Sequence, residues 1–311
     1  MDYQKKPLTV VFLHLPALWC IFISTFSMMN LRAYAKINIG LRVLGRRPDG
    51  YHDIETVFHQ IDWYDEITLE RAENGITFST DLPRLENNSN LCVRAAQLLQ
   101  SKTSTHAGAI IHLRKSIPIG AGLGGGSSDA AAVLKGLNAL WNLNLSDEQL
   151  AELSIELGAD VPFFLHGGTA FGRGRGEILE RIEIPMPYWI LVCTPHVHVS
   201  TAWAYSKFKP DPGILREDIR SIIARTAPHF GKFRNDFEPI VFRAYPEIRK
   251  LKEELRHGGA QFAMMSGSGS SVFGLFRNET NVRSLARELA NRYSVSITEP
   301  FFKPEPVHTQ S

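Results

Sequence analysis

The stretch Ile117-Pro118-Ile119-Gly120-Ala121-Gly122-Leu123-Gly124-Gly125-Gly126-Ser127-Ser128-Asp129-Ala130-Ala131-Ala132 constrains this chain more than any other. Five glycines fall within seven residues, two serines follow, and a run of alanines opens behind them. Glycine takes positive φ freely and lets a ligand lie against bare backbone. Alanine is the strongest helix former, so a helix is expected from Ala130 onward. A glycine loop that opens a helix aims several backbone N–H groups at one point, and the helix dipole adds positive charge there. Phosphate is the guest such an arrangement suits. The run contains Gly120-x-Gly122-x-x-Gly125, a formal match to the dinucleotide fingerprint. That reading fails, because Pro118 and Ile119 separate the preceding strand from the first glycine. A Walker A loop fails as well, since no Gly-Lys-Ser/Thr closes it. A ligand-free glycine turn is the plain alternative, at a heavy entropic cost for a mere connection.

Other residues supply chemistry that a bound phosphate could use. Residues 32–44 read as a strand with Ala33, Ala35, Ile37, Ile39, Leu41 and Val43 on one apolar face. Lys36 and Asn38 then share the opposite face, an ammonium beside an amide, suited to holding a hydroxyl or a phosphate. The alternative is a solvated polar face. Residues 45–50 are turn chemistry ending in Asp49-Gly50, and Tyr51-His52 follow directly. Tyr51 is suited to stacking on a flat ring and His52 to bonding its edge; a packed aromatic pair beside a turn is the alternative. In Gly158-Ala159-Asp160-Val161-Pro162-Phe163-Phe164, a carboxylate enters apolar surroundings, where it must be paired or functional. A general base or a partner for Lys36 fits, against a simple turn cap. His196-x-His198 puts two imidazoles on one face of a strand, but no third ligand accompanies them, which argues against a metal site.

The remaining pattern alternates strands and helices. Strands are expected at 54–61, 67–71, 76–78 and 109–115, with a helix from Leu91 to Ser101 capped by Ser89 or Asn90. Val133, Leu134, Leu137, Leu140 and Trp141 form the buried stripe of the helix behind the glycine loop. Ser146-Asp147-Glu148-Gln149 is a capping box for a helix ending at Gly158. Gly167–Thr169 and Gly172–Gly176 read as tight hairpin turns that close a first lobe. A buried strand at 188–193 precedes Thr201 and Tyr205 at a helix start, and residues 210–235 read as helical and basic. Short helices from Asn235 and Pro246, strands at 261–265 and 272–276, a helix at 282–293 and a strand at 295–302 complete the chain. Strand, helices, strand, strand, helix, strand is a ferredoxin-like order for a second lobe.

With 311 residues, 44% of them hydrophobic, the chain can bury a large core in two lobes. A net charge of +2 gives no support for a nucleic-acid or acidic-membrane partner. Three scattered cysteines, Cys20, Cys92 and Cys193, indicate a reducing compartment without disulfides, hence the cytoplasm. The first thirty residues depart from this picture. Lys5-Lys6 precede an uncharged apolar stretch to Leu31, interrupted by His14 and Pro16. Three readings stay open: a translation start placed upstream of Met28 or Met29, a loosely docked extension, or a working signal or anchor.

Taken together, residues from about Leu31 to Phe302 resemble the GHMP kinase superfamily. The resemblance is carried by Ala35-Lys36-Ile37-Asn38, Arg47-Pro48-Asp49-Gly50-Tyr51-His52, Pro118 through Ala132, Gly158 through Phe164, and Ser266-Gly267-Ser268-Gly269-Ser270-Ser271. The glycine loop alone gives only the superfamily. The Asp-Gly-Tyr-His and Gly-Ala-Asp-Val-Pro-Phe-Phe runs are similar to its branch in the non-mevalonate isoprenoid route. The resemblance implies a two-lobed α+β fold: an ATP-binding lobe of ribosomal-protein-S5-like type at 31–176 and a ferredoxin-like lobe at 177–302. Residues 1–30 and the tail 303–311 fall outside it. It further implies ATP-dependent phosphorylation of the 2-hydroxyl of a cytidine-diphosphate-linked methylerythritol. Asp160 would take the hydroxyl proton and Lys36 would orient the hydroxyl and neutralise charge. Asn38 and Thr201 would contact the substrate, Tyr51 and Tyr205 would sandwich the cytosine, and His52 would bond its edge. Lys115 would lie near the adenine, while Pro118, Gly120, Gly122, Leu123, Gly124, Gly125, Gly126, Ser127 and Ser128 would wrap the triphosphate. Mg²⁺ is implied with ATP, its protein ligands unassigned beyond Ser127 and Ser128 as candidates. The partner is a small molecule, without nucleic acid or membrane, and monomer and homodimer both stay open. A GHMP kinase for another small alcohol, or a silent nucleotide-binding relative, are the alternatives.

Overall fold

A computed structural model describes residues 28–209, 217–224 and 230–305. The readings of residues 1–27 and 306–311, and of part of 210–235, lie outside them.

The first lobe is built on a long hairpin. Strand β1 (Met28–Arg46) pairs antiparallel with β2 (His52–Ala72) around the expected turn. The sequence suggested two strands where β2 is one. Asp65 lies between those two segments, yet it is fully buried and accepts the backbone N–H groups of Ser116 and Ile117, and the strand runs through it. Strand β1 also departs from strict alternation. Its register shifts between Tyr34 and Lys36 and again between Ile39 and Leu41. Residues 35–39 are all buried as a result, Lys36 and Asn38 included, which removes the solvated-face alternative.

Strand β3 (Ile76–Thr80) runs parallel to β4 (Gly108–Arg114), and β5 (Thr169–Arg173) forms a hairpin with β6 (Ile178–Arg181). The sheet order is β3-β4-β2-β5-β6, with β1 also on β2. Helices cover one face of this sheet. Helix α1 (Leu91–Thr103) is capped by the Asn90 side chain, which accepts from Cys92 N. Helix α2 (Gly125–Leu140) begins inside the glycine run, not at Ala130. Gly124, at φ +72°, is its N-cap, and the glycines and serines behind it supply the first turn. Helix α3 (Asp147–Ser154) carries the expected capping box but ends before Gly158. Helix α4 (Val161–His166) was not foreseen; it is short and carries Pro162 in its first turn, where proline is tolerated.

The second lobe contains β7 (Trp189–Thr194), α5 (Thr201–Lys207), α6 (Ile219–Ile223), α7 (Glu238–Ala244), α8 (Pro246–His257), β8 (Phe262–Met265), β9 (Val272–Phe276), α9 (Glu279–Leu289) and β10 (Ser294–Thr298). Its sheet order β10-β7-β9-β8, antiparallel throughout, is the ferredoxin-like arrangement that the order of elements implied. Helix α9 starts earlier than the apolar stripe indicated, because Asn278 caps it through Asn281 N. The lobes share apolar core: Ile37, Ile39 and Val57 of the hairpin pack in one cluster with Ile190, Val192 and Phe273. The hairpin is therefore held on both faces, and the polar groups it buries are held with it.

Candidate active site

A cleft of about 1360 Å³ lies where the glycine run, the β1–β2 hairpin and α5 meet. Three segments of remote sequence converge at its centre on the Lys36 ammonium. Lys36 Nζ donates to Asn38 Oδ1 at 2.5 Å and to the Gly122 carbonyl at 3.3 Å, and lies 3.5 Å from Asp160 Oδ2. The Phe58 ring, 5.2 Å from the ammonium, closes its apolar side. The Lys36 side chain is 5% exposed, so its charge needs these partners.

Asp160 occupies the N-cap position of α4, yet its side chain makes no capping bond. The turn-cap alternative therefore has no support: the carboxylate faces the cleft with Lys36 as its charged partner and is 33% exposed. A solute that enters the cleft can reach it.

The glycine run forms one wall. Gly122, at φ +80°, could not carry a side chain, because a Cβ would meet the Ser266 carbonyl at 2.2 Å. The loop 266–271 of the second lobe thus locks the run in place, and Ser266 Oγ donates to the Gly122 carbonyl at 2.9 Å. Helix α2 has no side-chain cap and no acid in its first turn. Its first N–H groups are donors without an intrahelical partner at the cleft wall, where an anion is stabilised.

Not every residue of the run faces the cleft. Pro118, Gly120, Gly122, Gly124, Gly125, Gly126 and Ser127 line it. The Leu123 side chain is buried in the core, while its carbonyl accepts from Lys36 N. Ser128 is buried too, its hydroxyl donating to the Tyr34 carbonyl at 2.7 Å. Gly120 is backed by the His198 imidazole, which gives that histidine a packing role.

Lys115 borders the cleft, but its ammonium is not free. Its ammonium is clasped between Asp65 Oδ2 at 2.5 Å and Asp129 Oδ2 at 2.9 Å, and its side chain is 4% exposed. Burial pulls the Lys115 ammonium down, but the two carboxylates outweigh it and hold the group above its ordinary value. Burial, with the Asp65 charge adding to it, pushes the Asp129 carboxyl well up against the attraction of Lys115. The sequence offered Asp129 inside the quoted motif but gave it no role, and it offered no sign of Asp65.

On the acceptor side, Tyr205 stacks on His52 with ring centroids 4.8 Å apart and 25° between planes. Its other neighbour is the Phe237 edge at 4.8 Å. Burial, helped by the Asp160 charge, raises the Tyr205 phenol to about 12, so it stays a neutral donor. Burial and then Arg46 lower the His52 imidazole. Tyr51 is 57% exposed and lies under the Arg175 guanidinium, 5.0 Å from its ring. Thr201 Oγ1 meets Ser268 Oγ at 2.9 Å. Tyr51 and Tyr205 thus have their own stacking partners, Arg175 and His52. Arg175 and Phe237 were not foreseen from the sequence.

Comparison with known proteins agrees with this architecture. The family model of the GHMP kinases N terminal domain matches residues 90–168, and that of the GHMP kinases C terminal domain matches residues 215–295. The chain is 44% identical over 283 residues to a 4-diphosphocytidyl-2-C-methyl-D-erythritol kinase of Prosthecochloris aestuarii, covering 88% of this chain and 98% of that one. It is 45% identical over 282 residues to the enzyme of that name from Chlorobium phaeobacteroides, with the same coverage. A crystal structure of 4-(cytidine 5'-diphospho)-2C-methyl-D-erythritol kinase superposes with a TM-score of 0.77 at 36% identity, over 87% of this chain and 98% of that one. A homoserine kinase from Cytophaga hutchinsonii, 16% identical with a TM-score of 0.69 over 93% of this chain and 98% of that one, shares the fold. The fold is that of a GHMP kinase. Within that class, the chain belongs to the 4-diphosphocytidyl-2-C-methyl-D-erythritol kinase family.

Proposed function

We propose that this protein transfers the γ-phosphoryl group of ATP to the 2-hydroxyl of 4-diphosphocytidyl-2-C-methyl-D-erythritol, in the non-mevalonate route to isopentenyl diphosphate. The observation that carries this reading is the Lys36–Asp160 pair. It sits against the Gly122 carbonyl of the phosphate wall and also borders the aromatic side of the cleft. Phosphoryl transfer needs positioning and charge stabilisation more than covalent work by the protein. Asp160 accepts the hydroxyl proton as the new O–P bond forms and the bond from the γ-phosphorus to the leaving ADP oxygen breaks. Lys36 orients the acceptor oxygen and stabilises charge on the transferred group. The unpaired N–H groups of α2 and its neighbouring glycines bind the triphosphate.

Tyr51, His52, Tyr205, Thr201 and Asn38 form the acceptor side. A cytosine ring that enters between the tyrosines displaces Tyr205 from His52 or Tyr51 from Arg175, exchanging one stack for another at small net cost. Lys115 serves ATP by anchoring the loop, since both carboxylates already hold its ammonium. Among the described residues no group of three His, Cys, Asp or Glu forms a metal cluster. Mg²⁺ would enter with the ATP substrate, with Ser127 the oxygen donor at the cleft wall; Ser128, the other candidate, already donates to the Tyr34 carbonyl. Among the described residues no helix is long and apolar enough to cross a membrane. We place the enzyme in the cytoplasm, as a monomer or homodimer, with every group of the site drawn from one chain.

The direct test is ADP release by pure protein supplied with ATP, Mg²⁺ and that substrate. Absence of turnover, with turnover on another small alcohol, would overturn the assignment of the acceptor. Gly126→Val tests the donor side. A Cβ at Gly126 meets only Leu91 Cδ1 at 3.6 Å, so the protein folds, whereas the side chain narrows the mouth of the phosphate wall. The expected result is an ATP dissociation constant raised by about tenfold or more, about 1.4 kcal/mol, with the melting temperature held. Unchanged ATP affinity would count against the loop assignment.

A further inference from the structure

We infer that Thr56, a residue outside the reach of any substrate, is a positioning residue for phosphoryl transfer: its hydroxyl fixes the orientation of the Asn38 amide and, through it, the place of the Lys36 ammonium. The inference rests on the proposed role of Lys36. Thr56 lies on β2 with 0% exposure, between β1 and β5. Its hydroxyl makes two bonds. It donates to the Gly40 carbonyl at 2.6 Å and accepts from Asn38 Nδ2 at 2.9 Å. The Asn38 Oδ1 atom then accepts from Lys36 Nζ at 2.5 Å. The three bonds run in one direction, from ammonium to amide to hydroxyl to carbonyl.

Directionality is the substance of the argument. A hydroxyl has a single proton. The Gly40 carbonyl can only accept, so it takes that proton and leaves the Thr56 oxygen as an acceptor. The amide must then present its NH₂ to Thr56 and its oxygen to Lys36. The flipped amide would face NH₂ against the ammonium, donor against donor, between two side chains that are almost wholly buried. The Gly40 carbonyl is itself aimed by the fold. Gly40 sits at the β1 register shift with φ +80°, and a Cβ there would meet Phe233 Cδ1 at 2.7 Å. A bulge in one strand thus sets the amide that holds the ammonium 3.5 Å from Asp160. A second hydroxyl fixes the same backbone, with Asn38 N donating to Ser266 Oγ at 3.1 Å, so the amide is the only loose part that Thr56 has left to settle.

Thr56→Val keeps the shape and removes the hydroxyl. The expected result is a kcat lowered by about 10- to 100-fold, the range for small misplacement of a reacting group, with KM for ATP unchanged. Thr56→Ser keeps the hydroxyl and is expected to retain most of the activity. In the Asn38→Ala background, adding Thr56→Val is expected to cost nothing further, because the path from Thr56 to Lys36 is already cut. Wild-type kcat in Thr56→Val would overturn the inference, as would a Thr56→Ser variant as impaired as Thr56→Val, or full additivity with Asn38→Ala. Should Thr56→Val fail to fold, Thr56→Ala, which fits any space, carries the same expectation. Lys36→Ala and Asp160→Asn are measured alongside. If those two abolish turnover and Thr56→Val does not, the inference fails and the proposed site stands. If Lys36→Ala keeps its activity, both fall together.

Discussion

Asp160→Asn is expected to lower kcat by about 10²–10⁴-fold, the usual contribution of a general base, and to leave ATP affinity nearly unchanged. The exchange keeps the shape of the side chain and removes its ability to take a proton. Folding is not at risk. Asp160 makes no capping bond to α4, and Lys36 keeps Asn38 Oδ1 and the Gly122 carbonyl as partners when the carboxylate is gone. ATP affinity holds because the phosphate wall consists of backbone N–H groups and glycines that Asp160 does not touch. The readouts are kcat from ADP release and the ATP dissociation constant from calorimetry. A variant that keeps a large share of its kcat would remove Asp160 from the role of base. A variant that loses ATP binding as well would place Asp160 on the donor side instead.

Much of this site was legible from the chain, and the reason is local. Glycines that need positive φ, a lysine and an asparagine two apart on a strand, and a carboxylate among apolar residues each leave a mark within a few positions. The two-lobed fold was legible too, because order of elements alone limits the ferredoxin-like lobe to few topologies. What stayed hidden depends on distant pairing. Asp65 meets Lys115 across 50 positions, and it falls between the two segments read as strands although one strand runs through it. Thr56 reads as an ordinary strand threonine until the bulge at Gly40 gives its hydroxyl a direction. Helix α2 begins at Gly125 because tertiary contacts outweigh the poor helix propensity of glycine, and propensity is the only signal the residues carry there. Helix α4 is too short to show a period.

Asp65 is also where the largest loss of stability is expected. Asp65→Ala should cost about 3–5 kcal/mol, the range for removing one partner of a buried ion pair. Three bonds vanish together: the 2.5 Å contact with Lys115 and the acceptors for the N–H groups of Ser116 and Ile117, at 2.6 and 2.8 Å. Both N–H groups stand at the entrance to the glycine run, so the loss also loosens the phosphate wall. Asp129→Asn should behave differently, with a change within about 1 kcal/mol, since Asp65 still neutralises Lys115 and an amide resembles the protonated acid. Their pH dependences separate them further. The Asp129 carboxyl is raised in the folded protein, so the native state holds a proton that the unfolded chain has released. With more protons bound in the native state, stability falls as pH rises from the ordinary aspartate range toward the folded value. Asp129→Asn should flatten that slope. Urea unfolding of both variants across that range checks the pair of expectations. Equal destabilisation by Asp65→Ala and Asp129→Asn, or an unchanged slope in Asp129→Asn, would show that the two carboxylates share the lysine evenly. Lys115 would then be held by the pair as a unit, and Asp65 would lose its place as the anchor of the loop.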